Sequence, residues 1–100
     1  MASRLERSYR YYNRRYFGNL LPNPPEVRVH WARLQSELGY QLEDEIVLNR
    51  RYRHCNALWR MTLLHEMVHL KLPPRAPDHG RRFQREMLRL ARAGAFRYLW

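Results

Sequence analysis

The chain has 100 residues, 45% of them hydrophobic, and its 19 Lys+Arg against 9 Asp+Glu give a formal net charge of +10. That length supports one small core and excludes a division into two. No apolar run approaches the roughly 20 residues of a membrane-spanning helix, and the single cysteine, Cys55, excludes an internal disulfide.

The first 20 residues lack the apolar stretch of a signal peptide, so a cytoplasmic domain, monomeric by default, is expected. Of the 19 cations, 18 are arginine, a composition that favours polyanionic partners, nucleic acid before anionic membrane.

In chain order, Leu5, Tyr9, Tyr12 and Tyr16 fall at i, i+4, i+7 and i+11 and predict one buried helix stripe. Gly18 suits a left-handed cap, and Pro22, Pro24 and Pro25 forbid continuation. Val27, Val29 and Trp31 alternate with polar neighbours and predict a half-buried strand. Gly39 reads as a turn, Tyr40 with Leu42 as a second short strand, and Glu43-Asp44-Glu45 as a solvated turn. Ile46-Val47-Leu48 reads as a buried third strand. The links are short, so the small sheet is expected to be mainly antiparallel.

From Asn56, read as an N-cap, a helix is predicted over Ala57 to about Leu70, apolar on nearly every side and therefore central. Pro73, Pro74 and Pro77 make residues 71–79 a stiff loop. A last helix from about Gly80 to Ala93 sets Phe83, Met87 and Leu90 on one face. The fold class is thus α+β: an N-terminal helix, a three-stranded sheet, a central helix and a C-terminal helix, in a single domain over residues 1–100.

The central helix contains His65-Glu66-Met67-Val68-His69, an H-E-x-x-H pattern. Residues i and i+4 share a helix face, so two imidazoles can converge on one zinc ion. Glu66, rotated by about 100° from His65, flanks that ion and can take a proton from a zinc-bound water. Two histidines and a carboxylate on an apolar helix are costly to bury without a partner, and a metal supplies one. A catalytic zinc takes a third protein ligand, for which His79 and Glu86 are the candidates. Glu86 can alternatively pair with Arg82 or Arg89, and His30 and His54 read as surface residues.

The stretch from Tyr12 to Pro22, with its Asn13, Tyr16, Phe17 and Leu21-Pro22, resembles the opening of the SprT-like metalloprotease family. The strand pieces near Val27–Trp31 and Ile46–Asn49 resemble its pattern, Thr62–His69 its active-site helix and His79-Gly80-Arg81-Arg82-Phe83 its H-G-x-x-F element. The resemblance covers roughly residues 5–90. It implies a minimal zincin fold, one Zn2+ per chain held by His65, His69 and His79, and Glu66 as catalytic base. It further implies an endopeptidase acting on extended protein or peptide substrates, DNA-associated or unfolded. Nine residues separate His69 from His79, so the connecting loop must be tight. The chain is also similar in size to the minigluzincins, whose third ligand is a glutamate, which keeps Glu86 as the alternative.

Arg7, Arg10 and Arg14 on the first helix, and Arg85, Arg89 and Arg92 on the last, form stripes suited to DNA or RNA phosphates. An alternative function is a basic nucleic-acid-binding module with a structural zinc, its fourth ligand coming from Cys55 or His54. Otherwise Cys55 is expected to be a small buried residue. The tail from Ala95 to Trp100 is expected to pack on the core, with a place in the cleft as the alternative.

Overall fold

The computed structural model describes residues 3–74, 78–97 and 99. Helix α1 spans Arg4–Tyr16 and starts in a capping box, Ser3 accepting from Glu6 N–H while the Glu6 side chain accepts from Ser3 N–H. Leu5, Tyr9 and Tyr12 are buried as the periodicity predicts, while Tyr16, the fourth position of that stripe, is half-buried against the core. Gly18 and Asn19 follow with φ of 59° and 61°, turning the chain out of the helix. Buried Asn13 then fixes the next segment, its amide donating to Leu21 O at 2.8 Å and its oxygen accepting from Leu21 N–H.

Three strands follow: β1 (Arg28–Ala32), β2 (Gly39–Leu42) and β3 (Glu45–Asn49). The sheet order is β1-β3-β2, with β2 antiparallel to β3 but β1 parallel to it. The sheet is therefore mixed rather than mainly antiparallel. The link from β1 to β3 contains the whole of β2, so it is long enough to return the chain for a parallel pairing. Gly39 begins β2 rather than forming a turn. A Cβ on Gly39 would stand 2.7 Å from Val47 O and 2.8 Å from Leu48 Cδ2, so only glycine allows this approach to β3.

A short 3-10 turn, Arg50–Tyr52, leads to α2 (Asn56–Lys71). Cys55, not Asn56, occupies its N-cap position, with no side-chain cap bond, and Asn56 Oδ1 instead accepts from Trp59 Nε1 at 3.1 Å. Cys55 is exposed rather than buried: it stands at the N-cap position between two exposed neighbours, His54 and Asn56. Helix α2 packs on β2 and β3 and against α1 and α3, which explains why it is apolar on most sides. Leu63, Leu64, Met67 and Val68 have no exposed surface.

Helix α3 spans Arg81–Arg92 and buries Phe83, Glu86 and Leu90. Ala95 and Phe96 then join the core, and Leu99 packs against it. Tyr98 and Trp100, the rest of the expected core-packing tail, lie outside the described residues, as do positions 75–77 of the proline loop. Among the described residues, no helix is long and apolar enough to cross a membrane.

Candidate metal centre

Helical spacing puts His65 and His69 one turn apart, with their Nε2 atoms 3.2 Å from each other. The third imidazole arrives from the loop. His79 adopts φ of 55°, a left-handed conformation uncommon for a residue with a Cβ, and it immediately precedes Gly80 at the start of α3. Its Nε2 stands 3.1 Å from that of His65 and 3.2 Å from that of His69. Gln84 holds the bend, donating from Nε2 to His79 O at 3.3 Å.

Phe83 lies against all three rings. Its centroid is 4.9 Å from that of His65, 4.6 Å from that of His69 and 4.7 Å from that of His79. The phenyl ring is buried and limits how far any imidazole can rotate.

The three nitrogens fit a cation better than they fit one another. A neutral imidazole nitrogen either donates or accepts a hydrogen bond. Among three mutually adjacent nitrogens two must share a role, so at least one contact is repulsive unless a cation lies between them. Zn–N bonds of about 2.0–2.1 Å in a tetrahedron place ligand nitrogens roughly 3.3–3.4 Å apart. The observed 3.1–3.2 Å triangle is close to that spacing. Burial, and then the neighbouring rings of His69 and His79, hold the His65 imidazole down at about 4. Burial likewise lowers His69. Both rings are therefore neutral at pH 7, with lone pairs available to a metal.

Glu66 is buried on the adjoining face of α2, and among the described residues nothing hydrogen-bonds to its carboxylate. Burial, and to a lesser degree the Asp78 carboxylate, push it up to about 7. Asp78 itself went unremarked in the sequence. Its Oδ1 stands 3.4 Å from His69 Nε2 and 3.8 Å from His79 Nε2. An acidic residue beside the third histidine was the available signal.

Two concavities meet at this centre. One, of about 440 Å3, is bounded by Gly39, Tyr40 and Gln41 of β2 together with the three histidines. The other, of about 700 Å3, has His65 and Glu66 in its wall and is otherwise mostly apolar, with Leu58, Met61, Met87 and Phe96 among its lining.

The remaining candidates lie elsewhere. Glu86 is held by Lys71 Nζ at 2.8 Å and by Arg89 Nε at 2.8 Å, and it is not in the histidine cluster. The pairing with Arg89 is the one the sequence offered as an alternative to ligation. His30 Nε2 contacts Glu45 Oε2 at 2.9 Å on the sheet, while His54 and Cys55 are exposed. On the arginine stripes, Arg10 donates to Pro24 O at 2.6 Å and Arg89 to Tyr16 O at 2.7 Å, so both tie segments of the fold together. Arg7, Arg14, Arg85 and Arg92 are on the surface.

Fold and site together define a small α+β domain in which three histidines lie close enough to hold a metal ion. The sequence model of the SprT-like family matches residues 5–98, and the chain belongs to that family. Comparison with curated proteins and with solved structures returns no match.

Proposed function

We propose that the chain is a zinc-dependent endopeptidase. The observation that carries this reading is the triangle of His65, His69 and His79 Nε2 atoms, 3.1–3.2 Å on each side, with a buried carboxylate on the next residue of the same helix. His65, His69 and His79 would hold the zinc. When bound, zinc supplies Lewis-acid polarisation of a carbonyl and makes water acidic enough to attack near neutral pH.

The chain's own groups supply the rest. Glu66, pushed up to about 7, is matched to accepting a proton from the attacking water and passing it to the leaving amine. Among the described residues, strand β2 has a neighbouring strand on one side only, which leaves its other edge for an extended peptide. Asn49 N–H donates to Leu38 O at 2.9 Å. Antiparallel alternation from that pair turns the backbone groups of Gly39 and Gln41 toward the open edge, beside the histidines. A peptide paired there would carry its carbonyls past Glu66. The apolar cavity would take a bulky apolar side chain next to the bond being cut, which suits unfolded proteins whose core residues are accessible.

The competing reading, a nucleic-acid-binding module with structural zinc, needs a fourth protein ligand. Neither His54 nor Cys55 belongs to the cluster, which leaves Asp78 as the residue to examine. The reading is tested by incubating the zinc-loaded chain with an unfolded protein. Internal cleavage is expected, lost on chelation and restored by zinc. A chain that binds zinc tightly and cuts nothing would overturn it.

A further inference from the structure

Strand β2 carries a side-chain amide at the edge of the histidine centre. Gly39 marks which face of β2 looks at α2, since a Cβ there would stand 3.1 Å from Thr62 Cγ2. Side chains two residues apart share a strand face, so Gln41 also points toward α2. It borders the concavity of about 440 Å3 together with His65, Glu66, His69 and His79. Tyr40 borders the same space, but alternation turns its ring to the opposite face of the sheet, where its cross-strand neighbour is Val47.

The Gln41 carboxamide is fixed by the hairpin that follows it. The link between β2 and β3 is only Glu43 and Asp44, and Glu43 adopts φ of 53°. Its carbonyl accepts from Gln41 Nε2 at 2.7 Å. A carbonyl can only accept, so this contact decides which end of the amide is nitrogen and uses one of the two Nε2 hydrogens. The second N–H is left for a ligand. Among the described residues bordering the concavity, only Gln41 and the three histidines have side-chain N–H groups, and the histidine nitrogens face one another. The Thr62 hydroxyl, near β2 on α2, is committed to Leu58 O at 2.8 Å.

We propose that Gln41 is a catalytic residue, its second Nε2–H donating to the carbonyl oxygen of the bond being cut as that oxygen gains charge. The inference rests on the endopeptidase reading and adds a group to it. A peptide paired with the outward backbone groups of Gly39 and Gln41 lies directly beside this side chain. In the step concerned, a water oxygen bonds to the carbonyl carbon and its proton passes to Glu66. The C=O π pair moves onto the oxygen, which becomes the oxyanion that accepts from Gln41. When the C–N bond breaks, that pair re-forms the carbonyl, and the departing nitrogen keeps the C–N pair and takes the proton from Glu66. A neutral amide suits this place: it stabilises charge as it develops, whereas a lysine or arginine would also hold Glu66 ionised and weaken it as a base.

The test uses the zinc-loaded full chain and a quenched-fluorescent peptide copied from a site that it cuts in unfolded casein. Gln41→Met keeps the length of the side chain and removes the donor. Its kcat is expected to fall about tenfold or more, with KM changed less than about threefold. A second readout needs no turnover. By calorimetry, a phosphinic peptide, whose tetrahedral oxyanion mimics the transition state, should bind Gln41→Met about tenfold or more weaker than wild type. A hydroxamate with the same side chain lacks that tetrahedral group and should lose less than about threefold. Gln41→Val, which suits a strand and has no donor, should behave alike and serves if Gln41→Met fails to fold. If Gln41 only held the hairpin turn, KM and both inhibitors would change together while kcat stayed constant, and that pattern would overturn the proposal. So would a larger kcat loss in Tyr40→Phe than in Gln41→Met. Wild-type cleavage with an unchanged kcat in Gln41→Met overturns the role of Gln41 alone, whereas a wild-type chain that cuts nothing removes the endopeptidase reading and this inference with it.

Discussion

The ring of His69 lies nearly parallel to the ring of Phe83, with centroids 4.6 Å apart and planes inclined at 26°. Through this contact and its edgewise contacts with His65 and His79, one buried phenyl group restrains every imidazole of the centre. On the proposed function Phe83 is a positioning residue, acting on the candidate metal site through the three imidazoles it touches. Phe83→Ala should lower zinc affinity about 10–100-fold, the range typical of losing support behind metal ligands. It should also destabilise the fold by about 3–5 kcal/mol. Phe83→Leu should recover most of the stability but only part of the zinc affinity, as read by competition with a chromophoric chelator. Equal zinc affinity in all three proteins would remove this role.

Asp78 discriminates between an open and a closed metal centre. Its carboxylate is 76% exposed and lies 3.4 Å from His69 Nε2. If three histidines suffice, Asp78→Ala should keep about one zinc per chain, with affinity changed less than about tenfold. Zinc loss comparable to that of His79→Ala would instead identify Asp78 as a fourth ligand and favour a structural site.

The cavity beside Glu66 predicts a cleavage preference. Ala91 lines it and is exposed at its mouth. Ala91→Phe should narrow the cavity with little effect on stability. Cleavage beside bulky apolar residues should fall about 10–100-fold relative to cleavage beside small ones, measured by mass spectrometry of products from an unfolded protein. An unchanged cleavage profile would mean that the substrate does not enter the cavity.

Glu86 should set part of the acid limb of stability. Burial acts to raise its pKa, but hydrogen bonds from Arg89 and Lys71 and their charges outweigh burial and hold it below the usual carboxylate range. A carboxyl depressed in the folded state contributes stability above its unfolded pKa, which is lost as pH falls through the folded value. Glu86→Gln should therefore be less stable than wild type at pH 7, by about 1–2 kcal/mol. The difference should shrink as pH drops below about 4. Thermal unfolding at pH 7, 5 and 3 reads this directly, and a constant gap would contradict it.

How much of this was legible beforehand depended on the range of the interactions involved. The His65–His69 pair is one helical turn, and helical geometry is local, so sequence spacing alone places both rings on one face. Spacing leaves His79 and Glu86 both open as third ligand, and the resemblance of His79-Gly80-Arg81-Arg82-Phe83 to the H-G-x-x-F element favours His79. The β1-β3-β2 order was not readable, since adjacent short strands favour antiparallel pairing and only packing decides which strand becomes central. Gly39 showed the same limit: its role depends on Val47 O, which lies across the sheet. The arginine stripes were read as helix faces. The structure adds a grouping of Arg4, Arg60 and Arg97 from three parts of the chain, which no periodicity within one helix could have revealed.

On the proposed function, Glu66 does chemistry at a zinc held by His65, His69 and His79. The most direct measurement compares Glu66→Gln with wild type for zinc content and for cleavage of an unfolded protein. The account predicts about one zinc per chain in both, with cleavage falling at least about a hundredfold in the variant. Cleavage at the wild-type rate by a zinc-loaded Glu66→Gln chain would contradict it.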